Sequence, residues 1–222
     1  IFGSNNLINA CIKNKVKKCL LVSTDKAVNP INLYGSTKLC AEKIFIASNS
    51  LSAGKTKFSV VRYGNVFGSR GSIVPYLLKN KSNNVDLTDK RMTRFFITLD
   101  KGVETVIWSL QNMVGGEVII PKISSIKIID LIYAINPKAK IKLIGIRPGE
   151  KIDEHMITIT DGQNTYDLKN YYVILDNFNN DLKKKFLSKH GRTAKVKPDF
   201  EYKSNLNKFL NTSEIKKMIK KL

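Results

Sequence analysis

Two short apolar runs fix what this chain can fold into. Lys18 to Ser23 (KCLLVS) and Phe58 to Tyr63 (FSVVRY) are continuous rather than alternating, the pattern of strands covered on both faces. Between them lie a polar loop, Thr24 to Asn32 with Pro30, and a helix-forming stretch from Leu33 to about Ser52. A helix of that length is what a parallel crossover needs. Its expected core face carries Leu39, Cys40, Phe45 and Ile46, with Glu42 and Lys43 assigned to water.

The same alternation continues outward. Residues 4–16 predict a helix with Leu7, Ala10, Cys11 and Val16 at helical spacing. After Tyr63 comes a loop punctuated by Gly64, Gly68 and Gly71, then a helix near Ile73 to Lys79 and a polar stretch, Lys81 to Asn84. Short strands follow near Val85 to Thr88 and Arg94 to Thr98. Leu99 to Met113 reads as a helix bearing Val103, Val106, Ile107 and Leu110, closed by Gly115 and Gly116. Val118 to Ile120 is a strand, Ile128 to Ile135 a helix stopped by Pro137, and Ile141 to Ile146 another strand. The expected class is α/β, a doubly wound parallel sheet followed by a smaller α+β region. Ligands of such sheets sit outside the carboxyl ends of the strands, which points to the loops at 24–32 and 64–72.

Composition narrows the function classes. With 222 residues, 42% of them apolar, the chain can bury a sizeable core. No apolar run nears the ~18 residues of a membrane span, and no secretory signal pattern opens the chain, so a soluble intracellular protein is expected. Cys11, Cys19 and Cys40 fall in no metal or disulfide spacing and are expected to be free thiols. His155 and His190 likewise suggest no metal site. The net charge of +20 invites nucleic acid, and residues 181–222 hold 13 basic against 4 acidic side chains. Only six of the 38 basic residues are Arg, among them Arg192, whereas base and bidentate phosphate recognition favour Arg. Abundant Lys, Asn and Ile also follow from an AT-rich coding sequence, so no specific nucleic-acid partner is expected.

Tyr34 and Lys38 are four apart and share one helix face. An ammonium one turn from a tyrosine favours the phenolate, which makes Tyr-x-x-x-Lys a proton-transfer pair. Chance supplies that spacing about once in a chain so rich in both residues. Position adds weight: the pair opens the helix after a strand end, ten residues beyond Thr24-Asp25-Lys26, so that a hydroxyl, a carboxylate, an amine and a phenol converge on one cleft.

A longer pattern surrounds these residues. Ser-Thr-Asp-Lys-Ala-Val-Asn-Pro-Ile-Asn-Leu-Tyr-Gly-Ser-Thr-Lys (23–38), Arg-Tyr-Gly-Asn-Val (62–66), Gly-Ser-Arg-Gly-Ser (68–72), Met-Thr-Arg-Phe (92–95), Gly-Gly-Glu (115–117), Pro-Lys-Ile (121–123) and Ile-Arg-Pro-Gly-Glu-Lys (146–151) occur in order. Together they resemble the inverting UDP-N-acetylglucosamine 4,6-dehydratases, a branch of the extended short-chain dehydrogenase/reductases. The resemblance is strong over residues 1–175 and weaker from Phe200 to Leu222.

The resemblance implies a lyase working on a UDP-sugar with tightly held NADP, cytoplasmic and homo-oligomeric, feeding surface glycan or flagellin glycosylation. It implies a partial Rossmann-type fold: residues 1–120 as the later portion of an NAD(P)-binding domain with a substrate-loop insertion at about 67–98, and 121–222 as the substrate-binding region with a basic tail. By the same resemblance Tyr34 takes the proton of the sugar 4-hydroxyl as hydride leaves C4, and Lys38 holds the cofactor ribose. Lys26 and Asp25 act as base and acid for loss of the C5 proton and the 6-hydroxyl as water. Hydride then returns to C6, and reprotonation from the opposite face inverts C5. Thr24 bonds near the 4-oxygen, and Ser23 and Val66 join Tyr34 and Lys38 at the cofactor. Asn65, Arg70 and Gly71 face the sugar, and Thr93, Arg94, Arg147 and Glu150 face the UDP end. Guanidinium forks suit a diphosphate on general grounds; the alternative is a structural pair between Arg147 and Glu150. Lys26 resembles the N-acetylglucosamine enzymes, since related hexose dehydratases commonly carry a carboxylate there. Membrane-associated retaining relatives have Met in place of Tyr34.

The pattern breaks in one place. None of the 13 glycines forms the G-x-G-x-x-G turn that brings backbone N–H groups to a pyrophosphate. The family places that turn on its first strand, so a chain opening on Ile1 reads as lacking it and is expected neither to hold NADP well nor to turn over. NADP against NAD stays open for the same reason. Two other readings stand beside the dehydratase: a nucleotide-sugar 4-epimerase of the same superfamily, and an inactive basic binding module.

Overall fold

The computed structural model describes residues 1–80, 82–175, 180–191 and 193–222; Lys81 of the polar stretch and Arg192 lie outside them. In chain order the elements are α1 (Phe2–Lys13), β1 (Lys18–Thr24), α2 (Leu33–Leu51), β2 (Lys57–Tyr63), β3 (Asn65–Val66), α3 (Ile73–Lys79), β4 (Asn84–Leu87), β5 (Thr93–Ile97), α4 (Leu99–Asn112), β6 (Glu117–Pro121) and β7 (Ser125–Lys127). They continue with α5 (Ile128–Ile135), β8 (Lys140–Leu143), β9 (His155–Ile157), α6 (Ile159–Gly162), β10 (Thr165–Leu168), β11 (Tyr171–Leu175), α7 (Asn180–His190), β12 (Ala194–Lys195), β13 (Tyr202–Lys203) and α8 (Thr212–Ile219). No helix among the described residues is long and apolar enough to cross a membrane.

The chain forms two compact units, each drawn from three stretches: Ile1–Tyr63, Val103–Lys122 and His155–Glu201 in the first, Gly64–Gly102, Ile123–Glu154 and Tyr202–Leu222 in the second. The first is built on a six-stranded sheet of order β1-β2-β6-β11-β10-β12. Strands β1, β2 and β6 are parallel, in a register that sets Ser23 opposite Arg62 and Thr24 opposite Tyr63. The expected all-parallel sheet holds only that far, because β11, β10 and β12 run antiparallel. Strands β10 and β11 are joined through Lys169 and Asn170 alone, and so short a connection returns a strand beside its neighbour in the opposite sense. The fold is nonetheless α/β and Rossmann-like at its parallel end. Val61, Ile119, Val173, Leu175 and Phe186 form its central cluster, and Phe45 of α2 meets Phe58 of β2 edge to face at 5.8 Å.

Gly-Gly-Glu has a structural role here. Gly115 and Gly116 take φ of +109° and +89°, which side chains resist, and the turn they make lets the buried Glu117 carboxylate accept from Val114 N–H at 2.7 Å and Gly115 N–H at 2.8 Å. Burial pushes that carboxyl above its ordinary value, against the pull of these backbone bonds.

The helices depart from expectation in which face they bury. On α1 the buried residues are Ile8 and Cys11, while Leu7 and Ala10 are exposed; Val16, expected on the same helix, lies beyond its end at Lys13 and is exposed. On α4 Thr105 and Ser109 are buried and Val103 and Ile107 exposed; Ser109 Oγ donates to Thr105 O at 2.6 Å, which satisfies a hydroxyl away from water. The second unit packs Phe67, Val74, Met92, Phe96, Ile126 and Leu131 beneath the small sheets β3-β5-β7 and β4-β8. Its strand β8 ends at Leu143, short of the expected Ile146.

Candidate active site

The site begins where β1 ends. Thr24 caps a 3-10 turn, Asp25–Ala27: its Oγ1 accepts from Lys26 N–H at 3.3 Å and donates to Asp25 Oδ1 at 3.0 Å. Lys26 Nζ donates to the same Oδ1 at 2.9 Å. Asp25 is fully buried while the Lys26 side chain is 35% exposed, so the pair runs from the interior to the surface. Asp25 Oδ2 and Ser23 Oγ are buried with no hydrogen-bond partner among the described residues. Buried polar atoms cost free energy when unpaired, and the carboxyl end of a parallel strand is where sheets of this kind bind their ligands.

Helix α2 supplies the phenol. Asn32 caps it, its Oδ1 accepting from Gly35 N–H at 2.8 Å. Gly35 is required by contact: a Cβ there would collide with the Lys26 carbonyl oxygen and stand 2.9 Å from Pro30 Cβ. The start of the helix is thus seated directly on the Asp25–Lys26 turn, one residue from Tyr34. Tyr34 is 56% exposed, and Lys38 Nζ lies 5.3 Å from the centre of its ring. The structure therefore brings together Thr24 with Asp25 and Lys26, and Tyr34 with Lys38, and joins the two groups through Gly35.

Sequence reasoning missed two residues beneath them. Glu42, expected in water, is 2% exposed and forms a bidentate pair with Arg62 of β2: Arg62 Nε donates to Oε1 at 3.1 Å and Nη2 to Oε2 at 2.6 Å. Arg62 Nη1 donates to Met156 O at 2.6 Å and lies 3.6 Å from Asp161 Oδ2. Burial alone would lower the guanidinium, but Glu42 and Asp161 outweigh it and hold it above its ordinary value. A signal was present: an arginine inside the apolar run FSVVRY must find a buried anion.

The second unit holds the remaining candidates. Asn65 and Val66 lie in β3, opposite Phe96 and Ile97 of β5, and Asn65 Oδ1 is buried with no hydrogen-bond partner among the described residues. Arg70 is exposed and followed by Gly71 at φ +72°. Thr93 is buried, its Oγ1 2.8 Å from Asp153 Oδ1 and 2.6 Å from Ser204 Oγ. Arg94, expected at a diphosphate, donates to Thr93 O, Ile152 O and Lys151 O, each at 2.8 Å, with Glu154 Oε1 3.8 Å from Nε. Its fork ties Lys151 and Ile152, in the segment that follows Arg147, to the start of β5, where Thr93 N–H also donates to Ile152 O at 3.0 Å. Arg147 is exposed, and Glu150 closes a local turn, its N–H donating to Arg147 O at 3.0 Å and its Oε2 accepting from Arg147 N–H at 3.4 Å.

A parallel α/β sheet carrying a Thr-Asp-Lys turn at a strand end and Tyr-x-x-x-Lys on the next helix defines an extended short-chain dehydrogenase/reductase. Within that class the chain belongs to the family described as polysaccharide biosynthesis protein, whose profile matches residues 1–176. It is 47% identical over 216 residues to a UDP-N-acetylglucosamine 4,6-dehydratase (inverting) of Campylobacter jejuni, covering 93% of this chain and 64% of that protein. A UDP-glucose 4-epimerase of Rickettsia bellii is 36% identical over 227 residues, with 99% of this chain and 66% of that protein covered. Among solved structures, Pen from Bacillus thuringiensis superposes with a TM-score of 0.88 at 30% identity, over 100% of this chain and 68% of that one.

Proposed function

We propose that the whole protein to which these residues belong is an inverting UDP-N-acetylglucosamine 4,6-dehydratase, a cytoplasmic, homo-oligomeric lyase of surface-glycan or flagellin glycosylation. The observation that carries this is the Lys26–Asp25 pair, 2.9 Å apart with one carboxylate oxygen buried and unpartnered. Loss of water across C5 and C6 needs a base and an acid beyond the Tyr34 phenol, and an epimerase, which leaves C5 untouched, does not.

The cofactor of this reading is NADP, which when bound supplies the acceptor and donor of hydride. Tyr34, Lys38, Ser23 and Val66 would hold its nicotinamide-ribose end, and the unpartnered Ser23 Oγ fits that assignment; a glycine-rich pyrophosphate turn is not among residues 1–222. Tyr34 accepts the proton of the sugar 4-hydroxyl, with Lys38 beside it and Thr24 bonded to the 4-oxygen. Once C4 is a ketone the C5 proton is acidic, and Lys26 and Asp25 serve as base and acid for loss of that proton and of the 6-hydroxyl as water. In this reading Asn65, Arg70 and Gly71 would meet the sugar, and Thr93, Arg94, Arg147 and Glu150 the UDP end.

The test is turnover of UDP-N-acetylglucosamine by the whole protein in D2O. The expected product is a 4-keto-6-deoxy sugar with deuterium at C5, lost in Lys26→Ala. A 4-epimer retaining its C5 protium would make the chain an epimerase, the reading its Rickettsia relative favours.

A further inference from the structure

The helix that carries Tyr34 and Lys38 is not seated uniformly. Its later turns dock through Phe45 on Phe58, but beside Leu39 and Lys43 there is open space: a cavity of about 440 Å³ reaches from Val28 and Pro30 to Arg62. A second, of about 480 Å³, lies along Ile46 and Ala47 and also ends at Arg62. Between the two, the contact from helix to sheet is the Glu42–Arg62 fork, with Met156 O and Asp161 holding the far side of the guanidinium. Lys43, His155 and Glu201 also face the first cavity, so the fork sits among charges rather than in a dry core.

We propose that Glu42 and Arg62 are positioning residues, which set the height and rotation of the first two turns of α2 and so place Tyr34 and Lys38 against the Thr24–Lys26 turn. The argument is one of spacing and shape. Glu42 follows Lys38 by one turn and Tyr34 by two, each step of four advancing about 40° around the helix, so the buried Glu42 anchors the same helix on which Tyr34 and Lys38 stand exposed. Arg62 is opposite Ser23 in the strand register, one residue before Thr24. Two parallel N–H···O bonds fix direction as well as distance, whereas apolar side chains beside a cavity can slide. A buried ion pair is weak support for stability, since matched apolar residues often replace it without loss. What such replacement removes is the fixed geometry.

This rests on the dehydratase reading, and the experiment separates the two. The whole protein is compared with Arg62→Lys, with Glu42→Gln and with the apolar double variant Glu42→Leu/Arg62→Met, following melting temperature, kcat and KM, and amide exchange by mass spectrometry. The expected result is a double variant melting near the parent yet about tenfold or more slower in kcat, with KM within about threefold, because angstrom-scale misplacement of a catalytic group costs rate rather than binding. Exchange should quicken over residues 33–38 and not over Phe58 to Val61. A stable double variant that regains parental kcat overturns the proposal, as does exchange that is unchanged or raised uniformly, or failure of even Arg62→Lys to fold, which would make the pair structural only. If the parent itself makes no 4-keto product, the dehydratase reading fails, and exchange at 33–38 alone decides the positioning role.

Discussion

Replacing Gly35 by alanine sets two effects of opposite sign against each other. On helix propensity alone, alanine inside a helix gains about 1 kcal/mol over glycine, which in a chain of this size raises the melting temperature by about 2–4 °C. The contact works the other way. The new Cβ would overlap the Lys26 carbonyl oxygen and stand 2.9 Å from Pro30 Cβ, so the helix start or the turn must retreat. Carbon atoms rest about 3.5–4.0 Å apart, so the retreat is on the order of 1 Å. Overpacking of this kind costs roughly 1–3 kcal/mol, and the strain falls where Asn32 and Gly35 make the helix cap. The expected net change is a loss of up to about 2 kcal/mol, seen as a melting temperature lowered by several degrees. If Tyr34 and Lys26 act together as proposed, a 1 Å shift between them is expected to lower kcat of the whole protein by about a hundredfold. Thermal unfolding and turnover are both simple to follow. A melting temperature raised by 2 °C or more, on the ~2–4 °C propensity scale, would refute the argument, since it would show that the seat has room for a methyl group.

Asn32→Ala removes the cap of the same helix and should cost about 1 kcal/mol, checked by urea unfolding. Arg94→Lys leaves a single ammonium where a fork served three carbonyls; amide exchange over Lys151 to Glu154 should rise while that of α5 does not. The Glu117 carboxyl is held above its ordinary value by burial, so the stability its protonated form contributes is full below the ordinary carboxylate range and is lost as pH rises through the raised value. Glu117→Gln cannot titrate, and its unfolding midpoint should approach that of the parent as pH rises from about 4 to 8; a constant gap would count against the assignment.

How much of this was legible in the sequence depended on whether a residue's neighbours were local. The strand runs, the Pro-bearing loop and the helix from Leu33 are set by period and punctuation within a few residues, and the structure places them within a residue or two. The Thr24 cap and the Lys26–Asp25 contact are likewise local, spanning adjacent positions. Glu42 was misplaced because its partner lies 20 residues on, in another element, and a polar residue on a helix is assigned to water unless that partner is known. Arg94 likewise makes contacts with carbonyls 57 and 58 residues away, which spacing along the chain does not show. On α4 the apolar periodicity misled, since buried Thr105 and Ser109 are small polar residues and the apolar Val103 and Ile107 face out.

The charge of the chain can now be weighed against its chemistry. Some of the lysines behind the +20 are spent inside the fold: Lys189 Nζ donates to Gln111 O and Asn112 O at the end of α4, at 3.1 and 2.9 Å, and Lys18 Nζ to Leu110 O and Gln111 O. Cations at a helix C-terminus meet unpaired carbonyls and the negative end of the dipole, which gives them a role that needs no outside anion. Lys122 pairs with Asp167 at 2.6 Å, and Lys26 with Asp25. Several lysines thus cap and solvate, while Lys26 stands on the buried Asp25 carboxylate at the end of β1. Net charge describes the first group, whereas the proposed chemistry is assigned to the second.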